Sequence, residues 1–399
     1  MASNGSGAHH LTRRDILRML GASILIVPAS SLARKTTSSS SAGLTNKLRD
    51  FVRERQIAGA VGLVSRSGRI VYLEAVGEQD LEAGTPMRAS TIFDIRSMTK
   101  AITAIAVMCL IEDGKLRLQD RVSSYLPEFA DIRVAEHGKG PLRPPSRPIT
   151  LLDLLTHTSG MATERPPQIE NITRVLDRPL DEVVRIIATQ PLEADPGGAW
   201  NYSSMGFAVL GRIVEVSSRK LYQDFVKERI LRPLGMRDSF FFPRRQKWPR
   251  IATMYNMENG VLRRDSIDIY RRGAKYPAPE FGMFSTAQDM ERLFRMMLNE
   301  GSLDGRRVLS VQSVRTMLEP RVATAVPGVS QGLAWFICAD PDKQTALRIS
   351  KGSFGAAGAS GTFGWVDPAQ SLIRLLFMQR FGGSNTERDA FMGLAASVE

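Results

Sequence analysis

At 399 residues the chain is long enough for one large domain or two closely packed ones, and 43% hydrophobic with 24% charged residues fits a water-soluble globular body. That balance excludes a disordered chain and a membrane-embedded one. The formal charge of +12 would suit an anionic surface or substrate, but no nucleic-acid-binding motif accompanies it, so the basic stretch Arg244 to Lys275 reads as a solvated face.

The first forty residues are of a different kind. Thr12-Arg13-Arg14-Asp15-Ile16-Leu17-Arg18 leads into an apolar run from Met19 to Val27, followed by Pro28 and Ala29-Ser30-Ser31-Leu32-Ala33. The outline is that of a twin-arginine export signal ending in a small-residue cleavage site. Its apolar run is much shorter than the roughly 20 residues that a spanning helix needs, so no stable membrane span is expected in the mature form. An amphipathic helix retained on the protein is the alternative reading. The expectation is therefore a periplasmic or secreted protein, with residues 1–33 as signal, 34–43 as a Ser-rich linker and the folded domain from 44 to 399.

Leu44 to Arg55 alternates apolar and charged residues at helical spacing, and Ala58 to Val64 and Ile70 to Ala75 read as a hairpin turning at Arg66-Ser67-Gly68. Met98 to Glu112 is apolar on most sides and stops at Gly114, as a buried helix does. From about 120 to 280 the pattern is mostly helical, with Leu151 to Leu155, Leu180 to Ala188, Gly206 to Val216 and Leu221 to Ile230, and it shows little strand alternation. Beyond Thr286 come two further helical stretches. Short apolar runs at Gly332 to Cys338, Ala346 to Ile349, Gly361 to Val366 and Leu372 to Met378 then read as strands, and Thr386 to Val398 as a closing helix. The fold class this predicts is mixed α/β, an antiparallel sheet flanked by helices with an inserted, mostly helical lobe, and a site between the two parts.

Three segments could carry chemistry. Ser97-Met98-Thr99-Lys100 puts a hydroxyl and an amine one helical turn apart, on the same face. A serine hydroxyl becomes a good nucleophile when a base takes its proton, and lysine serves if burial lowers its pKa. The same spacing recurs at Ser217-Ser218-Arg219-Lys220, so the motif alone leaves helix capping open as an alternative. In Asn201-Tyr202-Ser203-Ser204, a tyrosine beside an ammonium would favour its phenolate and shuttle protons, with Ser204 positioning the network; a packed tyrosine with a satisfied hydroxyl is the plainer reading. Gly355 to Thr362, with Gly358 near its middle, is a run of small residues leading into a strand, suited to a backbone N–H that joins the Ser97 N–H as an oxyanion site or simply to a close-packed turn.

Cys109 and Cys338 lie inside apolar stretches and read as core residues, although export would permit a disulfide. His9 and His10 fall in the targeting segment, which leaves only His137 and His157 in the mature chain and weakens a Ser-His-Asp scheme. No metal-ligand cluster is read from the sequence and no cofactor is expected.

In this order the three segments resemble the serine β-lactamase and D,D-peptidase superfamily, in particular class C β-lactamases and the related esterases. Ile92 to Ile102 looks like the family's nucleophile helix, and Leu154-Leu155-Thr156-His157-Thr158-Ser159-Gly160, Pro233-Leu234-Gly235-Met236 and Gly361 to Pro368 match further landmarks. The resemblance runs from about Leu44 to Phe377. It implies that Ser97 forms an acyl-enzyme, Lys100 activates it and Tyr202 shares proton transfer. It also implies that the N–H groups of Ser97 and Ala359 form the oxyanion pair and that His157 is structural. Two departures stand out: Ser204 occupies a position where the family commonly has Asn, and Ala356 one where it usually has Lys or His to bind a substrate carboxylate. Lys351, five residues earlier, is a poor replacement. The function expected is hydrolysis of esters or small amides. The alternatives are a β-lactamase or D,D-peptidase acting on β-lactams or cell-wall peptides, and a non-catalytic penicillin-binding-like sensing module. In each case the partner is a small-molecule ester, amide or β-lactam and not a nucleic acid.

Overall fold

A computed structural model describes residues 41–265 and 273–399. The predicted signal, residues 34–40 of the predicted linker and part of the basic stretch 244–275 lie outside the described residues. The linker expectation is corrected at its end: helix α1, Ser41–Arg53, already includes Ser41, Ala42 and Gly43.

Nine strands form one antiparallel sheet. They are β1 (Gly59–Arg66), β2 (Arg69–Asp80), β3 (Thr85–Pro86), β4 (Val322–Ala323), β5 (Val329–Gln331), β6 (Phe336–Cys338), β7 (Phe354–Ala357), β8 (Phe363–Asp367) and β9 (Leu372–Met378). Their order is β4-β5-β6-β7-β8-β9-β1-β2-β3, so the last of these nine strands in sequence lies beside the first, with Ala60 opposite Met378 and Arg66 opposite Leu372. Period-two alternation divides these central strands between two apolar layers. Ala60 and Val64 of β1 and Leu372 and Leu376 of β9 pack with Leu44, Leu48 and Phe51 of α1 and with Phe391 and Met392 of the closing helix, Thr386–Ala395. Val61 and Leu63, with Ile373, Leu375 and Phe377, face the other way, into the larger core that holds the helix Thr99–Glu112.

That helix, α2, has apolar residues all round and is buried along most of its length, as such a sequence must be in water. It packs against the inserted lobe, whose helices are Leu151–Leu155, Pro167–Val175, Leu180–Ala188, Met205–Ser218 and Tyr222–Val226. Among the described residues no helix is long and apolar enough to cross a membrane.

Three expectations are corrected. Ala346 to Ile349 is not a strand but contains a 3-10 turn, Thr345–Leu347. There the Leu347 and Arg348 carbonyls accept from the guanidinium of fully buried Arg374, which an extended sheet strand would not offer it. The inserted region does contain strands: Tyr255–Glu258 and Val261–Arg264 form a hairpin, and Arg380–Phe381 runs parallel to the first of them. Finally, the small-residue segment at Gly355 is itself part of a strand, β7, whose Gly355 lies against Trp365; a Cβ there would meet the indole at 2.1 Å.

Candidate active site

The turn before α2 sets the site. Residues Arg96–Met98 form a 3-10 turn that leads into the helix at Thr99, so Ser97 stands just ahead of α2 and not within it. Three polar side chains on one face of α2 then bind the segment 279–283. Thr103 Oγ1 donates to the Pro279 carbonyl at 2.6 Å, Lys100 Nζ to the Glu280 carbonyl at 2.9 Å, and Thr99 Oγ1 accepts from the Met283 N–H at 3.2 Å. Gly211 on the helix Met205–Ser218 lets this segment come close, since a Cβ there would lie 2.2 Å from Pro279.

Lys100 Nζ also donates to Ser97 Oγ at 3.1 Å. Both side chains are buried, Lys100 to 2% exposure. Burial is the main reason the lysine pKa falls to about 7; the Glu280 carboxylate opposes the fall and Arg165 adds to it. A lysine so placed is substantially neutral at neutral pH, the form that accepts a proton.

Tyr202 faces the same Lys100 side chain, whose nitrogen lies 5.0 Å from the ring centroid. Here the expectation of a phenolate is corrected. Burial pushes the phenol up to about 12, and its contact with the Ser97 side chain offsets only part of that, so the hydroxyl stays protonated at neutral pH. His157 holds this tyrosine in place: the rings stack with centroids 4.3 Å apart, and the imidazole Nδ1 accepts from the Ser203 N–H at 3.1 Å. Burial, reinforced by the nearby Lys100 charge, keeps the imidazole neutral. Ser204 is buried at the start of Met205–Ser218, but its side chain makes no cap hydrogen bond and none to Ser97, Lys100 or Tyr202 is present.

The turn after β7 is fastened to the segment just before Ser97. Ser360 Oγ donates to the Asp94 carbonyl at 2.8 Å and Thr362 Oγ1 to the Ile95 carbonyl at 3.2 Å. Gly358 is required there, because a Cβ would come within 2.4 Å of the Ile95 oxygen. The Gly361 N–H closes the turn onto the Gly358 carbonyl, which leaves the N–H of half-buried Ala359 outside the turn's own bond. The Ser97 N–H belongs to the first turn of a helix, where no acceptor precedes it. Ala356, buried in β7, brings no charge to the site, and Lys351 is exposed before the strand begins.

The structure thus brings together Ser97, Lys100 and Tyr202, with Gly358 and Ala359 on the neighbouring turn. Sequence reasoning missed Glu280 and Arg165. Glu280 is 2% exposed, and its carboxylate accepts from Tyr276 Oη at 2.8 and 3.0 Å. No motif marks either residue; only the folding of segment 279–283 onto α2 reveals them. Cys109 and Cys338 are separate buried thiols.

Known proteins resemble this chain in sequence and in fold. The Beta-lactamase family profile matches residues 44–397. Protein Rv1367c of Mycobacterium tuberculosis is 35% identical over 351 residues, covering 81% of this chain and 86% of that protein. Esterase EstB of Burkholderia gladioli is 33% identical over 357 residues, covering 82% and 86%. Among solved structures, EstCE1, described as a hydrolase with promiscuous acyltransferase activity, superposes with a TM-score of 0.76 at 23% identity, over 90% of this chain and 98% of that one, a likeness of fold. With the family profile spanning nearly all of the described residues, the chain belongs to the beta-lactamase family of serine hydrolases.

Proposed function

We propose that the protein hydrolyses carboxylic esters or small amides through an acyl-enzyme on Ser97. The observation that carries this reading is the buried Lys100 amine 3.1 Å from Ser97 Oγ, with its pKa lowered to about 7. In the scheme, neutral Lys100 takes the Ser97 proton as Oγ attacks the substrate carbonyl. The N–H groups of Ser97 and Ala359 receive the oxyanion. Tyr202, protonated at rest, gives its proton to the departing alkoxide or amine and is reprotonated from Lys100, and the acyl group stays on Oγ. Water then attacks the ester and loses a proton to the same pair of groups, which return it to Ser97 Oγ as the C–Oγ bond breaks, releasing the acid and free Ser97. The curated relative named as an esterase supports ester cleavage.

Intact-mass spectrometry after exposure to a fluorophosphonate is the test. A single adduct on Ser97, absent from Ser97→Ala, is the expected result; an unlabelled wild-type protein that turns over no ester would overturn the reading.

We also infer export through the twin-arginine route, on the strength of Arg13-Arg14 and the apolar run after them. Arg13→Lys with Arg14→Lys should leave the protein in the cytoplasmic fraction with its N-terminal segment attached. Unchanged fractionation would reject the assignment.

A further inference from the structure

Arg165 is anchored to both halves of the site. Two residues before it, Thr163 Oγ1 donates to Asn201 Oδ1 at 2.5 Å, and Asn201 immediately precedes Tyr202. The guanidinium itself lies over Phe281, 5.1 Å from the centroid, and Phe281 follows Glu280, whose carbonyl holds Lys100. Arg96, the neighbour of Ser97, approaches the same ring at 5.7 Å. Phe281 therefore sits between two cations beside the nucleophile.

The two cations are not equivalent. Arg96 is held by Asp94 at 2.9 Å. Arg165, with its side chain 14% exposed, has one ion-pair partner among the described residues, Glu170, at 3.4 Å, longer than the roughly 2.7–2.9 Å of a good charge-assisted bond. Of its five N–H donors, only one has an acceptor among the described residues. A guanidinium largely withdrawn from water but short of acceptors is set to receive an anion, and its paired N–H groups match a carboxylate. Strand β7, where the family's cation is expected, offers only Ala356. Burial dominates the ionisation of Lys100, Tyr202 and Glu280, and the Arg165 charge acts on all three, which places it within the field of the site.

We propose that Arg165 binds a carboxylate carried by the substrate, so that the site prefers acidic esters or amides to neutral ones of the same size. The inference rests on the hydrolase reading above and names its substrate class.

Two matched pairs of esters test it. 4-Nitrophenyl hemisuccinate against 4-nitrophenyl butyrate places the carboxylate on the acyl side, and 3-acetoxybenzoate against phenyl acetate places it on the alcohol side. In wild type the acidic member of at least one pair should have the higher kcat/KM, and Arg165→Gln should reduce that ratio about tenfold or more, mainly through KM, with Arg165→Lys retaining part of it. Ratios unchanged within about twofold for both pairs would overturn the proposal. A binding measurement separates this outcome from failure of the hydrolase reading. In Ser97→Ala protein, calorimetry should detect 4-nitrophenyl hemisuccinate or 3-acetoxybenzoate bound more tightly than its neutral mate, and adding Arg165→Gln should erase the difference, even if wild type turned over no ester. Equal binding of acidic and neutral mates would reject the carboxylate site independently of catalysis.

Discussion

The chain contains the same four-residue spacing twice, and the two copies have opposite fates. Ser97 and Lys100 straddle the start of a helix that runs on for fourteen residues into the core, so the lysine is pulled out of water and its amine meets the serine hydroxyl. Ser217 and Lys220 straddle the end of Met205–Ser218, where Arg219 adopts a left-handed conformation (φ 58°) and turns the chain away. Lys220 then extends to the surface and pairs with Glu228, while Ser217 Oγ is buried with no hydrogen-bond partner among the described residues. Spacing brings a hydroxyl and an amine onto the same face only while the helix continues; whether the amine becomes a base depends on what lies downstream of it.

The contrast can be broken most severely at the serines. Ser97→Ala should lower ester kcat/KM by about a thousandfold or more, whereas Ser217→Ala should leave it within about twofold, as measured with 4-nitrophenyl butyrate. Next come the lysines. Lys100→Arg keeps a cation that cannot give up its proton, and should cost about a hundred- to ten-thousandfold, the usual share of a general base, while Lys220→Arg should change little. Loss of the Tyr202 hydroxyl in Tyr202→Phe should reduce kcat by about a hundredfold while the fluorophosphonate adduct on Ser97 still forms, which separates proton delivery from nucleophile activation.

Two smaller effects sharpen the comparison through pH. Because the neutral amine is the active form, kcat/KM should fall about tenfold per pH unit below the Lys100 pKa of about 7 and level off above it. A flat profile from pH 5 to 8 would exclude Lys100 as the base. Stability has its own sign. A folded-state lysine pKa below the unfolded value near 10.5 means that the unfolded chain binds more protons between pH 7 and 10.5, so this group's cost to folding diminishes as pH rises through that window. Lys100→Met removes a group that must give up its proton to be buried, and should raise stability at pH 7.5 by about 1 kcal/mol, whereas Lys220→Met should have no such effect; thermal unfolding at pH 7.5 and 10 checks both.

Much of the fold was legible because its elements have strong periodic patterns. The first helix, the opening hairpin, α2, β8 and β9 each carry enough apolar residues in register to announce themselves. What escaped did so for identifiable reasons. After Phe354, strand β7 continues with Gly355, Ala356 and Ala357, residues of low strand propensity, and Trp365 of the adjacent strand fills the space a side chain at Gly355 would take. The run at Ala346 had the apolar look of a strand but was turned by the needs of Arg374, a tertiary demand invisible locally. The hairpin at Tyr255 was readable: Asn259 and Gly260, both with positive φ, are the residue pair that tight hairpin turns favour. Within the site, Ser97, Lys100 and Tyr202 could be named from the sequence because each lies in a short motif. Glu280 and Arg165 act from separate loops, and no spacing rule links them to Ser97.

The position of β9 between β8 and β1 has a consequence for synthesis. Until residues 372–378 have left the ribosome, the hairpin at the start of the chain and the strands near its end cannot join, and the core around α2 lacks Ile373, Leu375 and Phe377. The pairing is among the most non-local contacts in the molecule, of the kind that slows folding. The polypeptide must be nearly complete before its hydrolytic centre can take shape, and a nascent chain arrested before β9 should be inactive although every residue of that centre has already been made.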